Sequence, residues 1–348
     1  MIADTKSMKV LSDIDVSQKR VFVRADLDVP VKEFTVKSSQ YSGATRLTNL
    51  KNTIDYLYKQ GASKIIIAGH IDRPEKPDPE YSTKQLRFIL EQILLRSVYF
   101  AQNLEKQVAG YLVLLENLRF FQGESTNDTA FAVKLSSLAD IYVNEAFGNC
   151  HRNHASMVAL PHLLPHAAGL HLAKEVDELS KILKGPQKPF VAIVGGAKIE
   201  TKLPLVEHLA KIADFVLVGG ELPVEIGKKG VKFTQNVLVA SLTADAKDIS
   251  DESIYQFKEK IASARTVVWN GPLGLFEEGY DKGSKAIARA VIDSPAYEVV
   301  GGGETVEFLA KNNLLSPPSG GFAFVSSGGG AMLEFLSGKT LPALKALE

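Results

Sequence analysis

PFVAIVGGAK, residues 189–198, sets out the fold on a small scale: an unbroken apolar run, then paired glycines and a lysine. Such a run reads as a strand buried on both faces, the kind found in parallel sheets covered by helices. Glycine at the end of that strand lets backbone N–H groups approach an anion, and a following helix adds the positive end of its dipole. The pattern returns at DFVLVGGE (214–221), YEVVGGGET (297–305) and FVSSGGGA (324–331). One glycine turn is ordinary in any strand-to-helix connection, whereas four within about 150 residues point to an architecture for phosphate.

Outward from these turns, strands and helices alternate. VLVA (237–240) and TVVWNG (266–271) add strands to the second half. In the first half KRVFVRADLDV (19–29) alternates apolar and charged residues like a strand, and SKIIIAGH (63–70), YLVLLEN (111–117) and DIYVNEAF (140–147) supply more. Leu47, Leu50, Ile54 and Leu57 form a helical stripe ending at Gly61, and Asn127 or Asp128 caps a helix carrying Phe131 and Leu135. Between the halves, GLHLAKEVDELSKILKG (169–185) sets Leu172, Val176, Leu179 and Leu183 on one face and reads as a linker helix. The class is α/β, with two doubly wound parallel-sheet domains joined by that helix.

At 348 residues and 45% hydrophobic, the chain exceeds what one compact core usually supports, in keeping with two domains. Forty basic side chains balance forty acidic ones, so the overall charge lends nothing to non-specific attraction toward nucleic acid or an anionic membrane. MIADTKSMKV at the start has no apolar core or cleavage-like site, and no apolar run nears the roughly 20 residues of a spanning helix. A cytoplasmic protein without nucleic-acid or membrane partners is expected. Cys150, the single cysteine, excludes an intrachain disulfide.

The first half carries its own signal. Arg24, Arg46, His70, Arg73, Arg119 and Arg152 sit where strands end or just beyond. Ligands of open α/β sheets bind outside the carboxyl ends of the strands, so these groups would converge on one crevice, and arginine's fork suits phosphate and carboxylate oxygens. Each arginine alone is an ordinary solvated charge; their recurrence at strand ends predicts a small, highly anionic substrate facing a nucleotide.

RADLDVP (24–30), GHIDRP (69–74), LLENLRF (114–120), NEAFGNCHRNHAS (144–156), FVAIVGGAKIETK (190–202), VVWNGPLGLFE (267–277), VVGGGET (299–305) and SSGGGAMLEFLSGKTLP (326–342), in this order, closely resemble phosphoglycerate kinases over nearly the whole chain. Neither G-x-x-x-x-G-K-[ST] nor G-x-G-x-x-G is present, which leaves P-loop kinases and nicotinamide-dependent dehydrogenases without motif support. The resemblance implies Rossmann-like domains: 1–168 for phosphoglycerate, a linker helix at 169–184, 185–335 for nucleotide, and a tail at 336–348 packing back toward the first. It implies a glycolytic monomer whose domains close about a hinge, transferring phosphate from 1,3-bisphosphoglycerate to MgADP to give 3-phosphoglycerate and ATP. By the same resemblance Asp26, Asp28, Arg46, His70, Ile71, Asp72, Arg73, Arg119 and Arg152 hold the phosphoglycerate. Lys202, Asn270, Pro272, Leu275, Glu277, Gly302, Gly303, Glu304 and Thr305 hold the nucleotide, with Pro272 and Leu275 near the adenine, Asn270 by the terminal phosphates and Glu304 on Mg2+. Phosphoryl transfer needs mainly positioning and charge neutralisation, and Arg46 and Lys198 are the candidate catalytic cations. The bland alternative for Lys198 and Lys202 is an exposed pair at a helix start.

Several positions depart from the family. Glu304 stands for the aspartate of its G-G-D-T motif, Asp28 for an asparagine, Thr201 for an aspartate and Met332 for a serine. After VLVGG the family's third glycine and long helical excursion are missing, and Ser250 replaces a glycine of the nucleoside pocket. A more open adenine side is expected. The rival reading is a non-catalytic relative that keeps the phosphoglycerate crevice and has lost productive nucleotide binding. Cys150, His151 and His154 fall short of the four ligands of a structural zinc site, so local hydrogen bonding is expected of the two histidines. His162, His166 and His171 read as surface or hinge residues.

Overall fold

The computed structural model describes residues 8–29, 42–104, 109–315 and 321–348. Residues 1–7 of the N-terminal stretch and Pro30 of RADLDVP lie outside them, as do the side chains of 42–45. The chain divides into two compact units, one of Ile2–Asp177 with Thr340–Glu348, the other of Glu178–Lys339. The division falls inside the helix Leu170–Lys184, whose Leu172, Val176, Leu179 and Leu183 are buried. The end of the chain joins the first unit: a short helix, Pro342–Lys345, packs on the turn Ala155–Ala159, and Ala343 N–H donates to the Cys150 carbonyl at 3.1 Å.

In the first unit six parallel strands, β1 (Arg20–Arg24), β2 (Lys64–Ala68), β3 (Tyr99–Ala101), β4 (Leu112–Leu115), β5 (Ile141–Asn144) and β6 (His166–Ala168), lie in the order β3-β4-β2-β1-β5-β6. The second sheet holds β7 (Phe190–Val194), β8 (Phe215–Val218), β9 (Val237–Val239), β10 (Thr266–Asn270), β11 (Tyr297–Gly301) and β12 (Phe324–Ser326) in the order β12-β11-β10-β7-β8-β9, also parallel. Counted from its own first strand this is the 3-2-1-4-5-6 order of dinucleotide-binding folds. Strand order reverses between β7 and β10, and in the first sheet between β1 and its neighbours β2 and β5. Crevices therefore open at Val194 and Asn270 in one unit, and at Arg24 and Asn144 in the other.

The apolar runs form strands because both faces are covered: every residue of β7 and of β10 is buried. The alternating reading of residues 19–29 is corrected. β1 stops at Arg24, and Val21, Phe22, Val23 and Arg24 are all 0% exposed. A central strand has no solvent face, so its terminal charge has to be satisfied inside. β3 and β6 had no sequence counterpart, since three residues at a sheet edge are too few to show a period. Asp128, rather than Asn127, caps the helix Thr129–Ser136, its Oδ1 accepting Phe131 N–H at 2.7 Å. His162 is exposed and His166 lies on β6. His171 is no surface residue: it is 14% exposed, with Nε2 3.2 Å from the fully buried Glu175 carboxylate.

Candidate functional site

In the first unit the strand ends bring the predicted side chains together. Asp26, just past β1, accepts from Asn149 Nδ2 at 3.2 Å, and its Oδ2 lies 3.8 Å from Arg46 Nε on the helix Ser42–Lys59. Arg46 donates to the backbone carbonyl of Asp28 at 2.5 Å, while the Asp28 carboxylate accepts Asp72 N–H at 2.8 Å. Asp72 adopts a left-handed backbone, φ 52°, which an aspartate tolerates better than most residues. This turn offers its carbonyl to Arg119 Nη1. Asn117 closes the cluster from behind, donating to the carbonyls of Ile71 and Tyr81 at 2.9 and 2.8 Å. The Ile71 side chain belongs to the core, so only its backbone faces this turn.

His70, 2% exposed, lies beneath this rim with Nε2 4.0 Å from Asp28 Oδ2. Burial pushes its pKa well below the usual imidazole value, and the charges of Arg24, Arg119 and Arg152 push the same way. Burial also lowers Arg119; Asp28 opposes this while Arg152, Arg24 and Arg73 add to it. Mutually repelling cations around a neutral imidazole are an arrangement that an anion would stabilise. Arg73 is exposed and Arg152 partly so. The hydrogen bonding expected of His154 is not formed: its buried Nδ1 has no hydrogen-bond partner among the described residues and lies 3.7 Å from Glu124 Oε1. Burial, then Arg24, Arg119 and Arg152, drive His154 down to about 3. No group of three or more His, Cys, Asp or Glu side chains suited to a metal occurs among the described residues.

The second unit works through its backbone. Gly195 N–H donates to Asn270 O, Gly196 N–H to Pro272 O, Gly219 N–H to Val194 O and Gly220 N–H to Leu273 O, at 2.9 to 3.1 Å. At Gly195 a Cβ would come within 2.1 Å of the Pro272 carbonyl, and at Gly271, φ 95°, within 2.1 Å of the Gly195 carbonyl. This corrects the sequence reading that all four glycine turns offer N–H groups to phosphate. The turns after β7 and β8 spend theirs on the end of β10 and the turn after it, and on the end of β7. Those after β11 and β12 instead open the helices Gly303–Lys311 and Gly329–Leu336, whose first N–H groups have no intrahelical acceptor.

Lys202 is 8% exposed, so the bland reading of an exposed lysine pair fails for it. Its Nζ donates to Asn270 Oδ1, and burial lowers its pKa to about 8 against the opposing pull of Glu304. Asn270 Nδ2 lies 3.9 Å from the sulfur of the fully buried Met332, and Thr305 Oγ1 accepts Gly271 N–H at 2.7 Å. Lys198 is exposed at the N-cap of the helix Ile199–Leu209, where Thr201 bonds back to its carbonyl at 2.9 Å. Ser250 caps the helix Asp251–Ala262. A pocket of about 160 Å³ is lined by Gly196, Gly220, Pro272, Leu275 and Phe276, with Glu221, Glu277, Glu278 and Glu304 around it. Gly302 and Gly303 lead from β11 to Glu304 in the first turn of the following helix. Sequence reasoning gave no role to Glu124, Ser156, Asn117 and Asn149; the last three stand inside quoted motifs, but the partners that give all four a role lie far along the chain.

The family model of phosphoglycerate kinase matches residues 11–246 and 228–339. The chain belongs to the phosphoglycerate kinase family. It is 36% identical to the phosphoglycerate kinase of Desulfosudis oleivorans over 400 aligned positions, covering 98% of this chain and 99% of that one. The phosphoglycerate kinase of Helicobacter hepaticus is 31% identical, with 99% and 97% covered. Among solved structures, phosphoglycerate kinase from Coxiella burnetii superposes with a TM-score of 0.82 at 32% identity, covering 98% of both chains. An alignment of 400 positions against 348 residues makes this chain a shortened phosphoglycerate kinase. The two matched stretches overlap at 228–246, close behind the point where the helical excursion is missing. Membership makes the chain a phosphotransferase, a kinase of glycolysis, with the α/β class of two parallel six-stranded sheets read from the sequence. Among the described residues no helix is long and apolar enough to cross a membrane.

Proposed function

We propose that the chain reversibly transfers the acyl phosphate of 1,3-bisphosphoglycerate to MgADP, giving 3-phosphoglycerate and ATP, as a cytoplasmic monomer. The observation that carries this is the first-unit cluster in which Arg119, Arg152 and Arg73 repel one another around a neutral His70. Together with Arg46, Asp26, Asp28 and the Ile71–Asp72 backbone, they hold the phosphoglycerate. Lys202, Asn270 and the N–H groups opening the helix at Gly303–Thr305 hold the phosphates, while Pro272, Leu275 and Glu277 line the nucleoside side. Arg46 and Lys198 neutralise the equatorial oxygens of the transferring group, the main service a loose phosphoryl transition state requires. One carboxylate ligand, Glu304, suits Mg2+, which takes few protein ligands and otherwise coordinates phosphate and water. Bound with the nucleotide, the ion would supply charge neutralisation at its phosphate oxygens.

The rival reading, a relative that binds phosphoglycerate without productive nucleotide binding, has one observation in its favour: the four glutamates around the small second-unit pocket. A coupled assay of ATP-dependent 3-phosphoglycerate turnover with Mg2+ or Mn2+ decides for the kinase if turnover is seen. Calorimetric heat with 3-phosphoglycerate and none with MgADP, in the absence of turnover, decides for the rival.

A further inference from the structure

Arg24 ends β1 with its guanidinium sealed from solvent. A buried guanidinium needs its donors satisfied and its charge balanced. Its Nε donates to Ser156 Oγ at 2.8 Å, its Nη1 to the Ala25 carbonyl at 2.5 Å, and its Nη2 lies 2.9 Å from His70 Nδ1. Ser156 Oγ donates to Glu124 Oε1 at 2.6 Å and Ser156 N–H to Oε2 at 3.0 Å; Glu124 is 0% exposed. The serine hydroxyl thus links a buried carboxylate to a buried guanidinium.

A guanidinium offers only donors and keeps its proton in proteins, so His70 Nδ1 has to accept. The ring proton then sits on Nε2, on the side that faces Asp28 and the crevice. We infer that Glu124, Ser156 and Arg24 form a buried positioning chain that fixes His70 as a neutral Nε2–H donor toward the anionic oxygens of the substrate. The role given to the substrate rests on the phosphoglycerate reading of the crevice. Arg24 and Glu124 touch no substrate and act through His70. Of the charged groups near the ring, Arg24, Arg119 and Arg152 oppose a second proton and the Asp28 carboxylate, 4.0 Å from Nε2, favours one, while His154 meets the ring edge-on at 5.9 Å; burial and the three cations prevail. The imidazole consequently stays neutral at and above the ordinary histidine value of about 6.5, where an unperturbed ring would be titrating.

Long-range nitrogen–proton spectra of the full chain with labelled histidines read the tautomer directly. The expected pattern is an acceptor-type Nδ1 and a protonated Nε2 at His70, unchanged through about pH 6.5 and above. Titration near the ordinary value of about 6.5, or a mixture of tautomers, overturns the chain. Arg24→Met with Glu124→Gln removes both buried charges together, so that neither is left unpaired. His70 then populates both tautomers, and the KM for 3-phosphoglycerate rises about tenfold while that for MgADP holds. Should the double variant fail to fold, Ser156→Ala keeps both charges and breaks only the relay; the same spectral change with an increase of about threefold is expected. A scrambled tautomer with an unchanged KM overturns the positioning role. Addition of 3-phosphoglycerate alone, read at His70 Nε2, separates this inference from the kinase reading. A shift without turnover supports the chain and breaks only the kinase, whereas turnover without a shift overturns the chain.

Discussion

The first unit makes its crevice from side chains and the second makes its own from backbone. In the first, arginines and an imidazole project from strand ends and are held by buried polar partners such as Asn117, Asn149 and Ser156. In the second, glycine turns bond to neighbouring strand ends and turns through their peptide groups, and at Gly195, Gly220 and Gly271 the backbones approach so closely that no Cβ fits. A side-chain crevice loses function by degrees when one member is removed. A crevice of interlocked backbone is part of the fold and fails with it.

The largest effect should come from Gly271→Ala, which adds both left-handed strain and a backbone clash. The second unit should lose roughly 4 kcal/mol or more, followed through the fluorescence of Trp269, the single tryptophan, which is buried there and bonds to the Gly271 carbonyl. A variant of unchanged midpoint would break the contrast between the units. Next, Arg119→Met should leave folding intact and raise the KM for 3-phosphoglycerate by about a hundredfold, with KM for MgADP constant in initial-rate measurements. Loss of the folded state instead would mean that the first crevice is structural as well.

The third prediction concerns acid. His154 has a folded pKa of about 3, below the ordinary value of 6.5, so between these values the unfolded chain binds more protons. Its contribution is present above pH 6.5 and lost as pH falls toward 3, amounting to about 2 kcal/mol by pH 5 in the first unit. Hydrogen exchange of β1 and β5 amides should register this slope, and His154→Phe should flatten it. The smallest effect is expected of Glu304→Asp: a higher Mg2+-supported rate relative to the Mn2+-supported one, with stability unchanged in thermal melts, since the carboxylate sits in an exposed first helical turn. An unaltered metal ratio would remove Glu304 from the metal site.

Much of this was legible in the chain. Runs such as FVAIV and TVVWN announce doubly covered strands because their lack of alternation is itself the signature of burial on both faces. The short edge strands Tyr99–Ala101 and His166–Ala168 carry no such signature, and the alternation at 19–29 misled because Arg24 is charged yet buried. Arg24, His70, Arg73, Arg119 and Arg152 were found because they stand at or beyond strand ends, a local property, whereas Arg46 lies on the helix Ser42–Lys59 and Asp26, Asp28, Ile71 and Asp72 came from the family resemblance. Glu124 and Ser156 were not found, because what matters about them is an arginine a hundred or more residues away in sequence.

The sequence by itself determined the apolar central strands, their glycine stops, most of the basic strand ends and the family, since all of these are written in contiguous residues. Tertiary structure alone decided how those parts are used. It sent the N–H groups of Gly195, Gly196, Gly219 and Gly220 to neighbouring strand ends and turns, and it put Arg24 in contact with His70. The physical reason is that a hydrogen-bonding group takes whichever partner the fold brings within reach, and burial makes that pairing compulsory.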